Sequence, residues 1–147
     1  MRALIQRVSG ASIRVDGVPG ASMSGGLVLL LCVERGDTDS NLEYVLRKVI
    51  SLRVFDDADG RMNLSLRDVG GSLLVISQFT LASDCRKGNR PSFDMAAPPE
   101  AANALYERFI ERVQQEGVQT FSGVFGAHMQ VTLTNDGPVT FMIESRG

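Results

Sequence analysis

Ser77-Gln78-Phe79-Thr80 sets a hydroxyl, an amide and a second hydroxyl within four residues, directly after the apolar run Leu73-Leu74-Val75-Ile76. Strand ends that open into loops are frequent ligand sites. Period-two alternation puts Gln78 and Thr80 on one face and Ser77 and Phe79 on the other. The plain structural alternative is a strand terminus whose hydroxyls satisfy backbone groups. A second polar place is the loop Arg86-Lys87-Gly88-Asn89-Arg90-Pro91-Ser92-Phe93, which holds three cations with no acid between them. Gly88 and Asn89 let the backbone approach a phosphate closely. If the partner is a nucleic acid, its phosphates land on Arg86, Lys87 and Arg90. The third place, Asn135-Asp136-Gly137-Pro138, reads as a turn. Gly137 has no Cβ, so its carbonyl and Cα can touch a ligand, and an X-Pro bond can be cis. A rigid Gly137-Pro138 can therefore act as a steric gauge, and a methyl added at Gly137 is expected to block a pocket while leaving the fold intact.

Residue counts remove other chemistry. The chain has one His, so sites built on two or more imidazoles are excluded. His128 lies at a strand start, where a surface role outweighs a catalytic one. Its two cysteines are too few for a disulfide framework. Cys32 ends the run Leu27-Val28-Leu29-Leu30-Leu31 and reads as a small buried hydrophobe. Cys85 has Arg86 and Lys87 beside it, which favours a thiolate, yet the sequence places no base near it. The acidic turn Asp56-Asp57-Ala58-Asp59-Gly60 resembles half a calcium loop but has Arg67 where the last ligand belongs, so no metal is expected. Fifteen Lys and Arg oppose seventeen Asp and Glu, a net charge of -2 that argues against coating nucleic acid by bulk charge. The N-terminus shows no signal-peptide pattern, and no apolar run approaches the roughly 20 residues of a membrane span. A reduced, cytoplasmic chain is expected.

These residues need a scaffold, and 147 residues suffice for one domain, 1–147, with a sizeable core. Ala3–Val8 reads as a strand stopped by Ser9-Gly10. Ala11–Val15 reads as a second, meeting a hairpin turn at Asp16-Gly17. Gly25-Gly26 opens Leu27–Val33, apolar throughout, as for a strand covered on both faces. Ser40-Asn41-Leu42-Glu43 fits a capping box, and Leu42, Val45, Leu46, Val49 and Ile50 form one helical stripe ending near Leu52. Gly70-Gly71 opens the strand Ser72–Leu81, whose second half turns polar. Pro98-Pro99 starts a second helix with Ala102, Leu105, Tyr106, Phe109, Ile110 and Val113 on its apolar face, stopped by Gly117. Strands Met129–Thr134 and Val139–Ile143 follow, separated by the Asn135–Pro138 turn. The order predicts an α+β fold, two helices covering a mainly antiparallel sheet.

Along essentially its whole length, Met1 to Glu144, the chain resembles the D-aminoacyl-tRNA deacylases. The matching pieces are Ala3-Leu4-Ile5-Gln6-Arg7-Val8, Met62-Asn63-Leu64, Ser77-Gln78-Phe79-Thr80-Leu81, Arg90-Pro91-Ser92-Phe93, Ala104-Leu105-Tyr106, Met129-Gln130-Val131 and Asn135-Asp136-Gly137-Pro138-Val139-Thr140. Each is weak alone; their order and separations make them specific. The resemblance implies that family's barrel-like core and a homodimeric editing enzyme without a cofactor. Such an enzyme hydrolyses the ester joining a D-amino acid to the terminal adenosine of tRNA, and also removes glycine from alanine tRNA. It further implies that Ser77–Thr80 of one subunit face a cis Gly137-Pro138 of the other. By the same resemblance Arg7 and Met129 hold that motif, and Phe125 lies near the adenosine.

The residues present suit that chemistry. An aminoacyl ester is already activated and needs no strong nucleophile. Backbone N–H groups of Phe79 and Thr80 can form an oxyanion hole, worth about 2.7–4 kcal/mol per donor. The resemblance assigns water activation to the ribose 2′-hydroxyl of the tRNA. Thr80 is the alternative nucleophile, but it has no adjacent base in the sequence and fits a positioning role better. The competing readings are a non-catalytic nucleic-acid-binding module using the Arg86–Arg90 loop and a Cys85 hydrolase.

Overall fold

The computed structural model describes residues 1–145. One long strand organises the architecture. β1 (Arg2–Val15) pairs antiparallel with β2 (Val18–Met23) and β3 (Gly26–Cys32) on one side and with β8 (Met129–Glu144) on the other. The Asp16-Gly17 turn joins β1 to β2 with both residues at positive φ, 48° and 80°.

The β1–β8 ladder changes the sequence reading twice. Ser9-Gly10 does not end a strand: Val8 faces Asn135 and Gly10 faces Thr134, so Ser9 is the extra residue of a bulge. Asn135–Pro138 is likewise no turn between two strands. Gln6 faces Thr140 and Val8 faces Asn135, so residues 136–139 bulge out of one continuous β8. Turn residues and bulge residues share the same chemistry, which is why the sequence alone reads both as breaks.

β3 continues through a crossover into β6 (Ser72–Ser77), its parallel neighbour, and β6 through a second crossover into β7 (Thr120–Ser122), again parallel. The sheet is thus antiparallel around β1 and parallel where helices intervene. Each of β3 and β6 begins at a Gly-Gly pair, and here glycine is required. A Cβ on Gly26 would stand 1.9 Å from the Ser72 carbonyl oxygen, and one on Gly71 would stand 3.2 Å from the Gly26 Cα.

The crossovers carry α1 (Asp39–Ser51) and α3 (Pro99–Gln115). α1 begins two residues earlier than its capping signal suggests. Thr38 is the N-cap, and the Asn41 side chain accepts the Thr38 N–H at 2.9 Å. The Leu42, Val45, Leu46, Val49 and Ile50 stripe is buried, as is the Ala102, Leu105, Tyr106, Phe109 and Val113 stripe of α3. Both pack with Leu27, Leu29, Leu31, Leu73 and Val75 on one face of the sheet. The other face, Val28, Leu74 and Ile76, packs on Val8, Ala11, Ile13 and Met23 from the far half of β1 and from β2. β3 and β6 are therefore covered on both sides, and the sheet curls toward a barrel. A small hairpin, β4 (Phe55–Asp56) with β5 (Met62–Leu64), leads to a one-turn helix, α2 (Leu66–Val69), that the sequence reading missed. The Asp57–Gly60 turn is local: Asp57 Oδ1 accepts the N–H groups of Asp59 and Arg61 at 2.9 and 3.0 Å. Among the described residues no helix is long and apolar enough to cross a membrane.

Candidate active site

β6 ends at Ser77, not at Leu81, and Phe79–Ala82 forms a single 3-10 turn. Gln78 and Thr80 therefore do not alternate along a strand. They meet across the turn, where the Gln78 amide Nε2–H donates to Thr80 Oγ1. Gln78 N–H still joins the sheet, donating to the Leu31 carbonyl at 2.8 Å. The N–H groups of Phe79 and Thr80 open the 3-10 turn, and among the described residues they have no acceptor, as expected for the first donors of any helical turn. Beneath the turn lies Cys32, buried as expected, its Sγ–H 3.6 Å from the Phe79 carbonyl. Burial, reinforced by the Glu34 charge, pushes the Cys32 thiol up to about 11, so it is no nucleophile near neutrality.

Beside this turn is a cavity of about 810 Å³, within the ~300–1,000 Å³ span of small-ligand sites. Ser77, Gln78 and Phe79 form one wall, and Phe125 and Met129 another. Tyr106 holds the second wall: its hydroxyl lies 3.0 Å from the Val75 carbonyl and 3.2 Å from the Gly123 carbonyl, and its ring packs on Phe125 at 5.8 Å. Burial pushes the Tyr106 hydroxyl up to about 12, so it stays protonated and donating. Gly123 admits Met129, since a Cβ there would stand 2.6 Å from Met129 Sδ. Phe79 meets Phe93 edge to face at 5.1 Å, and half of Phe79 remains exposed. No Asp or Glu lines the cavity, and its permanently charged side chain is Arg35, with the His128 imidazole also in the lining. Sequence reasoning missed Arg35 altogether, because nothing near Glu34-Arg35-Gly36 marks it as more than a loop cation.

The Gly137-Pro138 bulge is elsewhere in the same chain. It lies at the level of Arg7, which faces Leu27 and through it Leu73, whereas Ser77 faces Leu31 at the opposite end of β3 and β6. The Gly137-Pro138 bond is cis, and both residues are exposed. Arg7 secures the bulge. Its Nε–H donates to the Asp136 carbonyl at 2.8 Å and its Nη1–H to the Val54 carbonyl at 2.8 Å, with Asp56 Oδ1 at 3.3 Å. Asn135 clasps the base: Nδ2 donates to the carbonyls of Arg7 and Val139 at 2.9 and 3.0 Å, and Oδ1 accepts the Val139 N–H at 3.3 Å. Arg7 thus reaches the bulge, but Met129, paired with Val15 at the far end of β8, does not. A methyl at Gly137 would meet its own chain first, 2.2 Å from Val139 N, so it would not leave this segment intact.

Of the basic loop only Phe93 lines the cavity, and Arg86, Lys87 and Arg90 lie outside its wall. Asp84 and Ser92 pair at its base, their N–H groups donating to one another's carbonyls at 2.8 and 2.9 Å. The Arg86 charge is matched by Asp84, one residue before Cys85: Nε and Nη2 donate to its two carboxylate oxygens at 2.9 and 2.6 Å. Those bonds hold the Asp84 carboxyl down at about 2. Lys87 and Arg90 are exposed. Cys85 is exposed and free, with Ser83 Oγ 3.7 Å away.

Thr80 has the Gln78 amide as its polar neighbour, a donor and not a base. Thr80→Ala is therefore expected to keep hydrolytic activity within about tenfold of the parent. Loss of a base-assisted nucleophile would instead cost the 10²–10⁴ typical of general-base assistance or more. Steady-state kcat on an aminoacyl ester separates the two.

A family model described as D-Tyr-tRNA(Tyr) deacylase matches residues 4–144. The chain is 54% identical over 144 residues to a D-aminoacyl-tRNA deacylase of Pelobacter propionicus, covering 98% of this chain and 99% of that one. It is 52% identical over 145 residues to a protein of the same name from Geotalea daltonii, covering 99% and 97%. Among solved structures it is similar to one described as c-Myc DNA Unwinding Element Binding Protein, with a TM-score of 0.94, 39% identity and 100% of both chains covered. A structure described as a probable eukaryotic D-amino acid tRNA deacylase has a TM-score of 0.81 at 19% identity over 97% of each chain, a likeness of fold alone.

Proposed function

The chain belongs to the D-Tyr-tRNA(Tyr) deacylase family, and from that premise we propose that it hydrolyses the ester linking a D-amino acid to the terminal adenosine of tRNA. The observation that carries this reading is the 3-10 turn after β6, whose opening N–H groups, Phe79 and Thr80, have no acceptor among the described residues and whose first residue, Phe79, lines a carboxylate-free cavity that Thr80 adjoins in sequence. In the proposed reaction the ester carbonyl oxygen faces these donors. Water adds to the carbonyl carbon as its proton passes to the ribose 2′-oxygen, whose own proton is relayed to the departing neighbouring ribose oxygen. The tetrahedral oxyanion is stabilised by the two N–H groups. Its collapse breaks the bond to the ribose oxygen, which takes a proton, releasing a free D-amino acid and tRNA. Ser77, Gln78 and Thr80 position ester and water. Phe125 packs on the adenosine, and Lys87, Arg90 and Arg86 meet phosphates farther along the acceptor strand.

Chirality is set, in this proposal, by Gly137-Pro138 of a second subunit, so the working unit is a homodimer. Support comes from the exposure of the bulge and from the apolar side chains that β8 leaves exposed, Val131, Phe141 and Met142. Val131 also lines the cavity. The Gly137 carbonyl and Pro138 ring take the space an L-side chain needs, while a D-side chain points away. Glycine has no side chain to exclude, so glycine on alanine tRNA is a substrate as well. Met129 then supports the motif from the cavity side. The proposed setting is the cytoplasm, where tRNA is charged.

One relative, 39% identical, is described as a DNA-element-binding protein, and a binding module without turnover is the second reading. The readings differ in product. Many molecules of free amino acid released per enzyme from D-aminoacyl-tRNA are expected for the esterase. Salt-sensitive binding with the ester left intact would favour the module.

A further inference from the structure

Resting on the deacylase reading, we infer that Arg35 grips the phosphodiester on the 5′ side of the terminal adenosine and so positions the ester. Among the side chains lining the cavity Arg35 carries the one permanent positive charge, and no carboxylate opposes it there. Its loop is fixed by backbone bonds to the facing segment: Arg35 N–H donates to the Met95 carbonyl at 2.9 Å, and Ala97 N–H to the Val33 carbonyl at 3.0 Å. The guanidinium is aimed by Nε–H, which donates to the Asp94 carbonyl at 2.6 Å. Of the nearby acids, Asp94 meets Arg35 through its backbone carbonyl and not in an ion pair, and Glu34 and Asp37 are engaged elsewhere. Glu34 Oε1 accepts Arg2 Nε–H at 2.8 Å, and Asp37 Oδ2 accepts the Glu34 N–H at 2.7 Å. Among the described residues Arg35 makes no ion pair. With Nε engaged, its two Nη groups form a fork whose geometry matches two oxygens of one phosphate.

The position fits the substrate. Leu31 of β3 faces Ser77 of β6, and Arg35 follows four residues after Leu31, so the cation lies just beyond the reacting end of the strand pair. Between them the lining is uncharged and partly aromatic, with Phe93 and Phe125 suited to a nucleoside. Arg86 differs, because its fork is already closed on Asp84.

The test uses D-tyrosyl-tRNA, the D-tyrosyl ester of adenosine and the same ester of adenosine 5′-monophosphate, with the parent protein and Arg35→Ala. On the tRNA the variant is expected to raise KM about 10- to 100-fold, the range of a hydrogen bond to a charged group, with kcat unchanged. Its salt dependence should flatten by about one unit of slope. The parent should prefer the 5′-phosphorylated ester to the plain adenosine ester, and the variant should not. Equal hydrolysis of the adenosine ester by both proteins shows that the site is intact. An unchanged KM on tRNA, or an equal loss on all three esters, overturns the assignment. A parent protein that cleaves none of the esters overturns the deacylase reading itself, which distinguishes the two failures.

Discussion

Arg7→Ala is expected to cost both stability and activity. The Arg7 side chain is nearly buried, and its loss strands two carbonyls, those of Val54 and Asp136. Each unsatisfied acceptor costs about 1–3 kcal/mol. The carboxylates of Asp56 and Asp136 are half in water, so their ion pairs add little. A total of about 2–4 kcal/mol corresponds to a Tm lowered by about 5–15 °C in a chain of this length. Activity should fall further than stability. With its carbonyl released, Asp136 no longer fixes Gly137-Pro138, and a shift of about 1 Å in a positioning element costs on the order of 10²-fold in rate. Arg7→Lys should recover little, because one ammonium cannot reproduce two directed N–H bonds from a planar group. Thermal melting and kcat/KM on D-aminoacyl-tRNA measure both effects. A variant with a lowered Tm and full activity at low temperature would remove Arg7 from the positioning role.

Gly137→Ala is the second large effect. The new Cβ would meet Val139 N at 2.2 Å and Val139 Cγ2 at 2.7 Å, and Val139 is buried. Backbone at that distance must move, so the Asn135–Val139 clasp opens. The stability cost is of the order of overpacking, about 1–3 kcal/mol, because Gly137 and Pro138 themselves are exposed. D-aminoacyl-tRNA cleavage should drop at least about 10²-fold. Arg7 and Gly137 act on the same bulge, so the double variant should be scarcely worse than either single one. Wild-type cleavage by Gly137→Ala would detach the bulge from the active site.

The helices, the doubly covered β3 and the β1–β2 hairpin are legible in the sequence. Their periodicities run long enough to choose between 3.6 and 2, and Asp16-Gly17 is a turn on chemical grounds. The 3-10 turn is not legible. Four residues, Phe79-Thr80-Leu81-Ala82, fit an alternating strand as well as an i→i+3 turn. The facing bulges at Ser9 and Asn135–Val139 are hidden for another reason. Whether a breaker ends a strand or bulges it depends on the partner strand, and β1 and β8 are more than 100 residues apart in sequence. Of the site, Ser77, Gln78, Phe79, Phe125 and Met129 converge on one cavity, while Arg7 and Gly137-Pro138 form a separate cluster in the same chain. Periodicity cannot reveal that separation. Arg35 carries no mark in the sequence, and Asn135 reads there only as part of a turn, because their importance lies in hydrogen bonds across the fold, at 2.6 Å to the Asp94 carbonyl and 2.9 Å to the Arg7 carbonyl. The Arg86–Arg90 loop looked unopposed only because Asp84 stands just outside the run.

The central claim is enantioselective ester hydrolysis, and it is tested most directly by one tRNA charged with D- and with L-tyrosine. Under single-turnover conditions with the parent protein in excess, the D-ester should be cleaved at least about 10²-fold faster than the L-ester, a difference of about 2.7 kcal/mol in the barrier. Equal rates for the two enantiomers, or no acceleration of either over buffer, would contradict the account.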